Sequence, residues 1–100
     1  VQLDMTLFPG SGVGTIASMT DFTSAWMREL LVEINRNYLN AQVVDDKCGY
    51  ACSDHASWHR QGYPALMPFE AKTNSMNRNI HTVNDKISPA LNFTHSALYT

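Results

Sequence analysis

The densest group of residues with chemical potential runs from Cys48 to His59, as Cys-Gly-Tyr-Ala-Cys-Ser-Asp-His-Ala-Ser-Trp-His. Two cysteines followed by two histidines are typical of a zinc finger, but a finger needs about a dozen residues between the pairs. Here only two residues separate Cys52 from His55. His55 and His59 are one helical turn apart, as in H-E-x-x-H, but Ala56 replaces the glutamate of that motif. We therefore favour packing and hydrogen bonding at a helix surface as the role of both histidines.

The spacing of Cys48 and Cys52 is compatible with a small-loop disulfide, with two free thiols or with half of a metal site. The spacing does not choose between the first two, and both are favoured over the third. Closing so short a loop would add only about 2 kcal/mol of stability in a chain-entropy model. A disulfide here would mainly fix the turn that carries Tyr50, and it would indicate an exported protein.

Asp4 and His81 are the other two candidates for chemistry. Asp4 ends a short apolar run, so it would lie at the carboxyl edge of an α/β sheet, where such folds place their sites. An ordinary aspartate at the start of a loop fits equally well. His81 follows Ile80 in a long polar segment, residues 70–85, and a lone histidine in a loop is more often a surface residue than a ligand. Long loops in compact domains are usually functional, however.

Short apolar runs predict strands over residues 1–5, 15–19 and 41–44. Residues 63–69 are also strand-like, but their two prolines require an edge position. Strands that alternate with helices are typical of an α/β domain. The set is short, so we expect a partial three-layer α/β/α sandwich with a mixed, mostly parallel sheet.

The longest helix is predicted to begin at Thr20 or Thr23 and to end near Leu39. Its apolar residues recur at spacings of four and predict a face that covers a sheet: Phe22, Trp26, Leu30, Ile34 and Tyr38. A second helix should run from an N-cap at Ser53 to about Arg60 and stop at Gly62. A third is expected from Ala90, interrupted at Thr100.

Composition excludes several classes of protein. The 100 residues are 44% hydrophobic and 16% charged, which favours a packed core over disorder. A net charge of -2 with seven Lys plus Arg gives no basic patch for nucleic acid. No apolar run approaches the roughly 20 residues of a membrane span. Val1 already begins a predicted strand, without a signal peptide, so we expect residues upstream.

Several motifs together resemble one enzyme family. They are Cys48–His59 with Gly62-Tyr63-Pro64, then Met67-Pro68-Phe69-Glu70, then Ile80-His81-Thr82 with Asp85, and Gln2-Leu3-Asp4-Met5-Thr6. This set resembles the co-catalytic di-zinc aminopeptidases, and in particular the secreted leucyl aminopeptidases of bacteria. The resemblance extends from Leu3 to about Ile87. It implies that residues 1–100 are the C-terminal portion of one catalytic domain whose N-terminal half is absent.

The resemblance implies roles for individual residues. Asp4 matches a ligand of one zinc ion and His81 a ligand of the other, and zinc accepts both carboxylate and imidazole. Tyr50 matches the phenol that polarises the scissile carbonyl. Cys48 and Cys52 match a disulfide.

The resemblance also implies an apolar pocket for the N-terminal side chain of the substrate. The matched or neighbouring wall positions are Met5, Met19, Cys48, Cys52, Met67, Phe69 and Ile80. Thr73 and Met76 stand where the family has further aromatic residues, so we expect a roomier pocket and a less strict preference for leucine.

The implied function is a secreted zinc metalloaminopeptidase that releases leucine-type residues from peptides with a free N-terminus. The family takes its bridging carboxylate, a second histidine and the general-base glutamate from the N-terminal half. We therefore expect the 100-residue chain to be inactive alone, and that half could be a separate partner chain. We expect no nucleic-acid or membrane partner.

Two alternatives stay open. A non-catalytic relative could keep the fold for binding, although retention of Asp4 and His81 opposes this. A glutaminyl cyclase has a related fold with one zinc ion, but the Cys-Gly-Tyr-Ala-Cys loop favours the aminopeptidase.

Overall fold

The computed structural model describes residues 1–99, and the predicted interruption of the last helix at Thr100 lies outside them. Three strands form one sheet in the order β2-β1-β3: β1 is Thr15–Met19, β2 is Gln42–Asp46 and β3 is Pro68–Phe69. β1 and β2 are parallel, whereas β1 and β3 are antiparallel. The prediction of a small α/β domain with a mixed sheet is confirmed, and its three-layer arrangement stays a prediction.

β1 is the centre of the fold, and all five of its residues are buried. A strand with neighbours on both edges and packing on both faces favours such a continuous buried run. The core cluster consists of two residues of this strand and two that face it: Ala17, Met19, Met67 and Phe69. The half-buried Met5, Val44, Cys48, Cys52 and Met76 pack against that cluster. The core therefore adjoins the disulfide region directly.

Two α-helices follow the first two strands. Helix α1 spans Ala25–Ile34 and continues as a π-helical turn over Asn35–Leu39, and helix α2 spans Asp54–Arg60. The N-cap of α1 is Ser24, so neither predicted cap begins the helix. Thr23 donates its hydroxyl to the carbonyl of Met19 at 2.7 Å instead. The predicted N-cap position and extent of α2 are confirmed.

The apolar stripe predicted on α1 does not cover the sheet. Trp26, Leu30 and Ile34 are all exposed, and no residue of α1 is buried. The face that turns inward is one position further along, at the half-buried Met27 and Leu31. One position is a rotation of about 100° around a helix. Hydrogen bonds fix this rotation at both ends, because Ser24 binds Ala65 and the buried Asn35 binds Ala41 through both its side-chain atoms.

Two predicted strands are absent or shortened. Residues 1–5 form no strand, and two isolated backbone hydrogen bonds hold them, from Gln2 to Leu66 and from Glu70 to Met5. The backbone of Met5 is left-handed at φ 62°, which ends an extended conformation. Of residues 63–69 only Pro68 and Phe69 form a strand, β3, although the carbonyl of Met67 also accepts the N–H of Met19 at 3.1 Å. The prolines limit the ladder, since proline donates no backbone hydrogen bond.

The last helix begins later than predicted. Helix α3 spans Phe93–Ser96, and a 3-10 turn covers Ala97–Tyr99. Asn92 caps α3 by accepting the N–H of His95 at 2.8 Å, a role that asparagine performs well. No helix within residues 1–99 is long and apolar enough to cross a membrane.

Candidate active site

One cavity gathers nearly all the residues singled out in the sequence. Its volume is about 290 Å³. The singled-out residues in its wall are Asp4, Met5, Cys48, Tyr50, Cys52, Met67, Phe69, Ile80 and His81, and three further wall residues are Thr73, Met76 and Asp85. Segments far apart in the chain thus meet around one space. Sulfur and aromatic groups line it, together with two carboxylates, an imidazole and a phenol.

Met19 is the one expected wall residue that does not border this cavity, and its role in the pocket stays a prediction. It is fully buried at the end of β1 and does not belong to the cavity wall. Its Sδ atom lies 4.0 Å from the Sγ atom of Cys48. Met19 therefore supports the disulfide from behind, because the central strand directs its side chain into the core.

The backbone is strained beside one expected metal ligand, Asp4, and at the other, His81. Met5, next to Asp4, and His81 itself both have φ at 62°, in the left-handed region. This region costs a non-glycine residue about 1 kcal/mol or more and is found preferentially at functional sites. The two backbones turn Asp4 and His81 into the wall of the same cavity.

The donor atoms fit zinc only in part. A carboxylate and an imidazole are both common zinc ligands. Cys48 and Cys52 are joined in a disulfide, so neither offers a thiolate. Within residues 1–99 no group of three or more His, Cys, Asp or Glu side chains is arranged to hold a metal ion. Asp4 and His81 therefore carry donor atoms that suit zinc without forming a complete metal site within residues 1–99.

The disulfide loop presents Tyr50 at the cavity. Gly49 is left-handed at φ 83°, and Tyr50 is 67% exposed. The side chain of Asp21 holds the loop by accepting the N–H of Cys48 at 3.2 Å and that of Gly49 at 2.7 Å. The loop is thus fixed at its base while the Tyr50 phenol is free to reach a ligand.

Glu70 connects the separate segments that form the site. It is only 2% exposed, although the sequence predicted the start of a polar loop there. Its carboxylate accepts the N–H of Phe8 at 2.9 Å and the N–H of Asn77 at 3.1 Å. Its backbone N–H donates to Met5, and its carbonyl accepts the Nε2 hydrogen of the buried His95 at 2.8 Å. Glu70 therefore joins the segment with Asp4 to the loop that leads to His81.

The polar loop that follows Glu70 is held at its start. Asp46, at the end of β2, accepts the N–H of Thr73 at 2.6 Å. Burial acts to raise the pKa of Asp46, but hydrogen bonds from Thr73 and Lys47 outweigh it and leave that pKa below its usual value. Ser11 accepts the N–H of Lys72 at 2.9 Å. Thr73 and Met76 are thereby kept in the cavity wall.

Asp21 and Asp46 were not singled out in the sequence, and Glu70 was named there only as the end of the Met67-Pro68-Phe69-Glu70 motif, without a role. Asp21 follows β1 closely and Asp46 ends β2, so both lie at the carboxyl edge of parallel strands, the criterion that drew attention to Asp4. This position at the end of a strand could have identified Asp21 and Asp46 from the sequence. Glu70 gave no such signal, because only the folded chain brings Phe8 and Asn77 to its carboxylate.

The structure is similar to that of a known aminopeptidase, which indicates the class of protein to which the fold belongs. It superposes on Legionella pneumophila LapA aminopeptidase with a TM-score of 0.91 and 34% identity, over 98% of this chain and 26% of that one. It superposes on LapB of the same organism with a TM-score of 0.86 and 28% identity, over 99% of this chain and 28% of that one. The class is therefore a small α/β domain with a mixed sheet that is similar in structure to aminopeptidase LapA.

The sequence relationships identify the family. The model of peptidase family M28 matches residues 1–96, and the chain belongs to that family. It is 40% identical to leucine aminopeptidase 1 of Aspergillus fumigatus, over 95% of this chain and 26% of that protein. The relatives compared thus include fungal as well as bacterial enzymes. The chain spans about a quarter of the length of these relatives.

Proposed function

We propose that this chain is part of a zinc metalloaminopeptidase that releases apolar, leucine-type residues from the N-terminus of peptides. The observation that carries the proposal is the single cavity shared by Asp4, His81, Tyr50 and the apolar wall. Membership of peptidase family M28 and the similarity to leucine aminopeptidases support it. The activity belongs to a longer polypeptide, and the 100-residue chain alone is inactive.

Asp4 and His81 are the two zinc ligands that this chain supplies, one to each of two zinc ions. Bound zinc supplies Lewis-acid chemistry, polarising a carbonyl oxygen and activating water. The remaining ligands and the general base come from polypeptide outside these 100 residues. The incomplete donor set within residues 1–99 supports this division.

Tyr50 donates its phenolic hydrogen to the carbonyl oxygen of the scissile bond as negative charge develops there. A donor fixed in position before the reaction stabilises that charge without reorganisation. Asp21 and the disulfide supply the fixed position by anchoring Cys48 and Gly49. The exposure of the phenol leaves it free to reach the substrate.

The apolar wall binds the side chain of the N-terminal residue. Met5, Met67, Met76 and Phe69 surround the space, and methionine adapts to ligands of different shape. Thr73 and Met76 in the loop leave room for side chains longer than leucine. We therefore propose a preference for apolar residues in general, with leucine and methionine both accepted.

We further propose that the protein is secreted. The disulfide between Cys48 and Cys52 supports this, since such bonds persist mainly in oxidising compartments.

The test compares the 100-residue chain with a polypeptide of the relatives' length that contains it. The longer protein should bind two zinc ions and hydrolyse leucyl anilides, and the chain alone should do neither. In the longer protein His81→Ala should lower zinc content. Tyr50→Phe should lower kcat by about 10²–10³ with little change in KM, because the phenol acts on charge that develops in the reaction.

Tyr38→Phe is the matched control, since Tyr38 is an exposed tyrosine on the π-helical turn after α1 and does not line the cavity. It should leave kcat unchanged. Turnover by the purified 100-residue chain in proportion to its concentration would overturn the proposal. So would a Tyr50→Phe enzyme with the kcat of the wild type.

A further inference from the structure

A second cavity lies beside helix α2, with residues in its wall that the proposed aminopeptidase chemistry does not use. Its volume is about 410 Å³, within the range of small-molecule sites. His55, Trp58, Tyr63 and Leu66 are among its lining residues, and we call it the His55 cavity. The Trp58 and Tyr63 rings meet edge to face, 5.5 Å apart, and both side chains are more than half exposed. The cavity wall thus combines aromatic and aliphatic side chains with polar groups, among them Gln2 and His55.

The hydrogen bonding of His55 defines its tautomer. Its Nε2 atom lies 3.3 Å from the carbonyl oxygen of Asp21, and a carbonyl only accepts, so Nε2 carries the hydrogen. Burial lowers the pKa of His55, with weaker opposing effects from Asp21 and Asp4, so the neutral ring is favoured above the ordinary histidine pKa of about 6.5. The Nδ1 atom of His55 is therefore a hydrogen-bond acceptor.

That acceptor has no partner within residues 1–99, although His55 is only 1% exposed. A buried acceptor left without a donor costs about 1–3 kcal/mol. Native structures rarely leave such a group unsatisfied, so each one calls for an explanation. A group that donates one hydrogen bond to Nδ1 removes the cost, and because this atom is buried the His55 ring must shift toward the donor to meet it.

We propose that the His55 cavity binds an apolar, preferably aromatic, group that carries one N–H or O–H donor directed at His55 Nδ1. The aromatic pair supplies contact area for the apolar body, and His55 selects for the donor. Two sources offer this chemistry. One is a side chain from further polypeptide of the same peptidase domain, and the other is a free small molecule.

Occupation of this cavity is connected to the candidate active site through Asp21. His55 donates to the carbonyl of Asp21, and the carboxylate of the same residue accepts the N–H groups of Cys48 and Gly49. A group that draws the His55 ring toward itself therefore acts on the base of the loop that carries Tyr50. This makes His55 a positioning residue for the loop. The binding itself does not depend on whether the protein is an aminopeptidase.

The test uses the isotopically labelled 100-residue chain and two probes, indole and 1-methylindole. Indole has the N–H donor, and 1-methylindole has nearly the same shape without it. Indole should bind saturably, shift the His55 Nδ1 resonance and shift the amide resonances of Leu66 and Gly49. Its affinity should exceed that of 1-methylindole at least tenfold. Equal affinities, or an unchanged Nδ1 resonance at saturation, would overturn the proposal.

Two variants distinguish the effect of the His55 Nδ1 acceptor from the effect of ring packing against Phe22. His55→Phe keeps a ring in contact with Phe22 but removes the acceptor, so the preference for indole over 1-methylindole should disappear. His59→Phe is the control, because His59 is exposed one turn further along α2 and its ring also meets that of Phe22, at 6.4 Å. It should keep the preference. A preference that persists in His55→Phe contradicts the assignment.

Two further measurements show whether the 100-residue chain folds and where the occupant of the His55 cavity comes from. An unfolded spectrum of the wild-type chain would overturn the claim that these residues form the cavity by themselves. The same measurement is made in a polypeptide of the relatives' length. If its Nδ1 resonance is already shifted and indole does not bind, the occupant of the cavity is a side chain of that polypeptide. Retained indole binding there would assign it to a free molecule. If neither probe binds in either protein and the longer chain leaves Nδ1 unshifted, the proposal is wrong.

Discussion

Residues 65–71 and helix α1 show opposite relations between regular structure and burial. All seven residues of the first segment are buried, although only Pro68 and Phe69 belong to a strand. Helix α1 is the longest regular element among residues 1–99, and none of its ten residues is buried. The core of this domain therefore includes an irregular segment beside the buried strand β1, and its longest regular element lies at the surface.

The difference has a simple origin in backbone hydrogen bonding. A helix satisfies most of its own N–H and C=O groups, so it can form with one face in solvent. An irregular segment cannot, and burying it requires partners elsewhere in the chain. Residues 65–71 find these partners in Ser24, Met19, Met5 and His95. The partners come from four parts of the chain, so the segment holds the tertiary structure together.

The contrast also bears on function. Residues 65–71 supply Met67 and Phe69 to the wall of the candidate active site, and Glu70 joins the two segments that carry Asp4 and His81. Helix α1 contributes no residue to either cavity described above. Changes in the irregular segment should consequently affect stability and site geometry together, whereas changes on the exposed face of α1 should affect neither in this chain.

The largest expected effect comes from a matched pair of substitutions, Met67→Ala and Leu30→Ala. Each removes the same number of side-chain heavy atoms, but Met67 is 2% exposed and Leu30 is 45% exposed. Met67→Ala should lower the free energy of unfolding by about 2–5 kcal/mol because it leaves a cavity in the core. Leu30→Ala should change it by at most about 0.5 kcal/mol. Urea unfolding of the 100-residue chain measures both, and equal costs would remove the contrast.

A smaller effect is expected from Glu70→Gln. The amide can accept from only one of the two backbone N–H groups, of Phe8 and Asn77, and it turns its own N–H₂ toward the other. One buried donor without an acceptor should cost about 1–3 kcal/mol in urea unfolding. Glu29→Gln is the control, because Glu29 is exposed on α1. Glu70→Gln with wild-type stability would show that the carboxylate does not connect the segments.

The smallest expected effect is a pH dependence caused by His55. Burial lowers the pKa of His55 in the folded chain, so the unfolded chain binds the proton more readily. The stability contributed by neutral His55 is fully present above the unfolded pKa of about 6.5 and is lost as pH falls below it. Urea unfolding between pH 7.5 and 5.5 should show this slope, flattened in His55→Phe and kept in His59→Phe. An identical slope in both variants would contradict it.

Local patterns predicted part of this fold correctly. The apolar run of β1 and the cap and stop signals of α2 depend on neighbouring residues alone, and both elements have the predicted extent. The stripe on α1 was assigned to the wrong face because apolar residues occupy two adjacent faces. Which face turns inward depends on hydrogen bonds between Ser24 and Ala65 at one end of the helix and between Asn35 and Ala41 at the other.

The sequence by itself determined the family, the elements around β1 and α2, and the residue types available for chemistry, since motifs and periodicity are properties of near neighbours. Only the tertiary structure decided that Asp4, Tyr50 and His81 share one cavity and that Met19 lies behind its wall. It also decided that Glu70 is buried and that His55 has an acceptor without a donor. These facts depend on which distant segments meet, and that depends on the packing and hydrogen bonding of the whole chain.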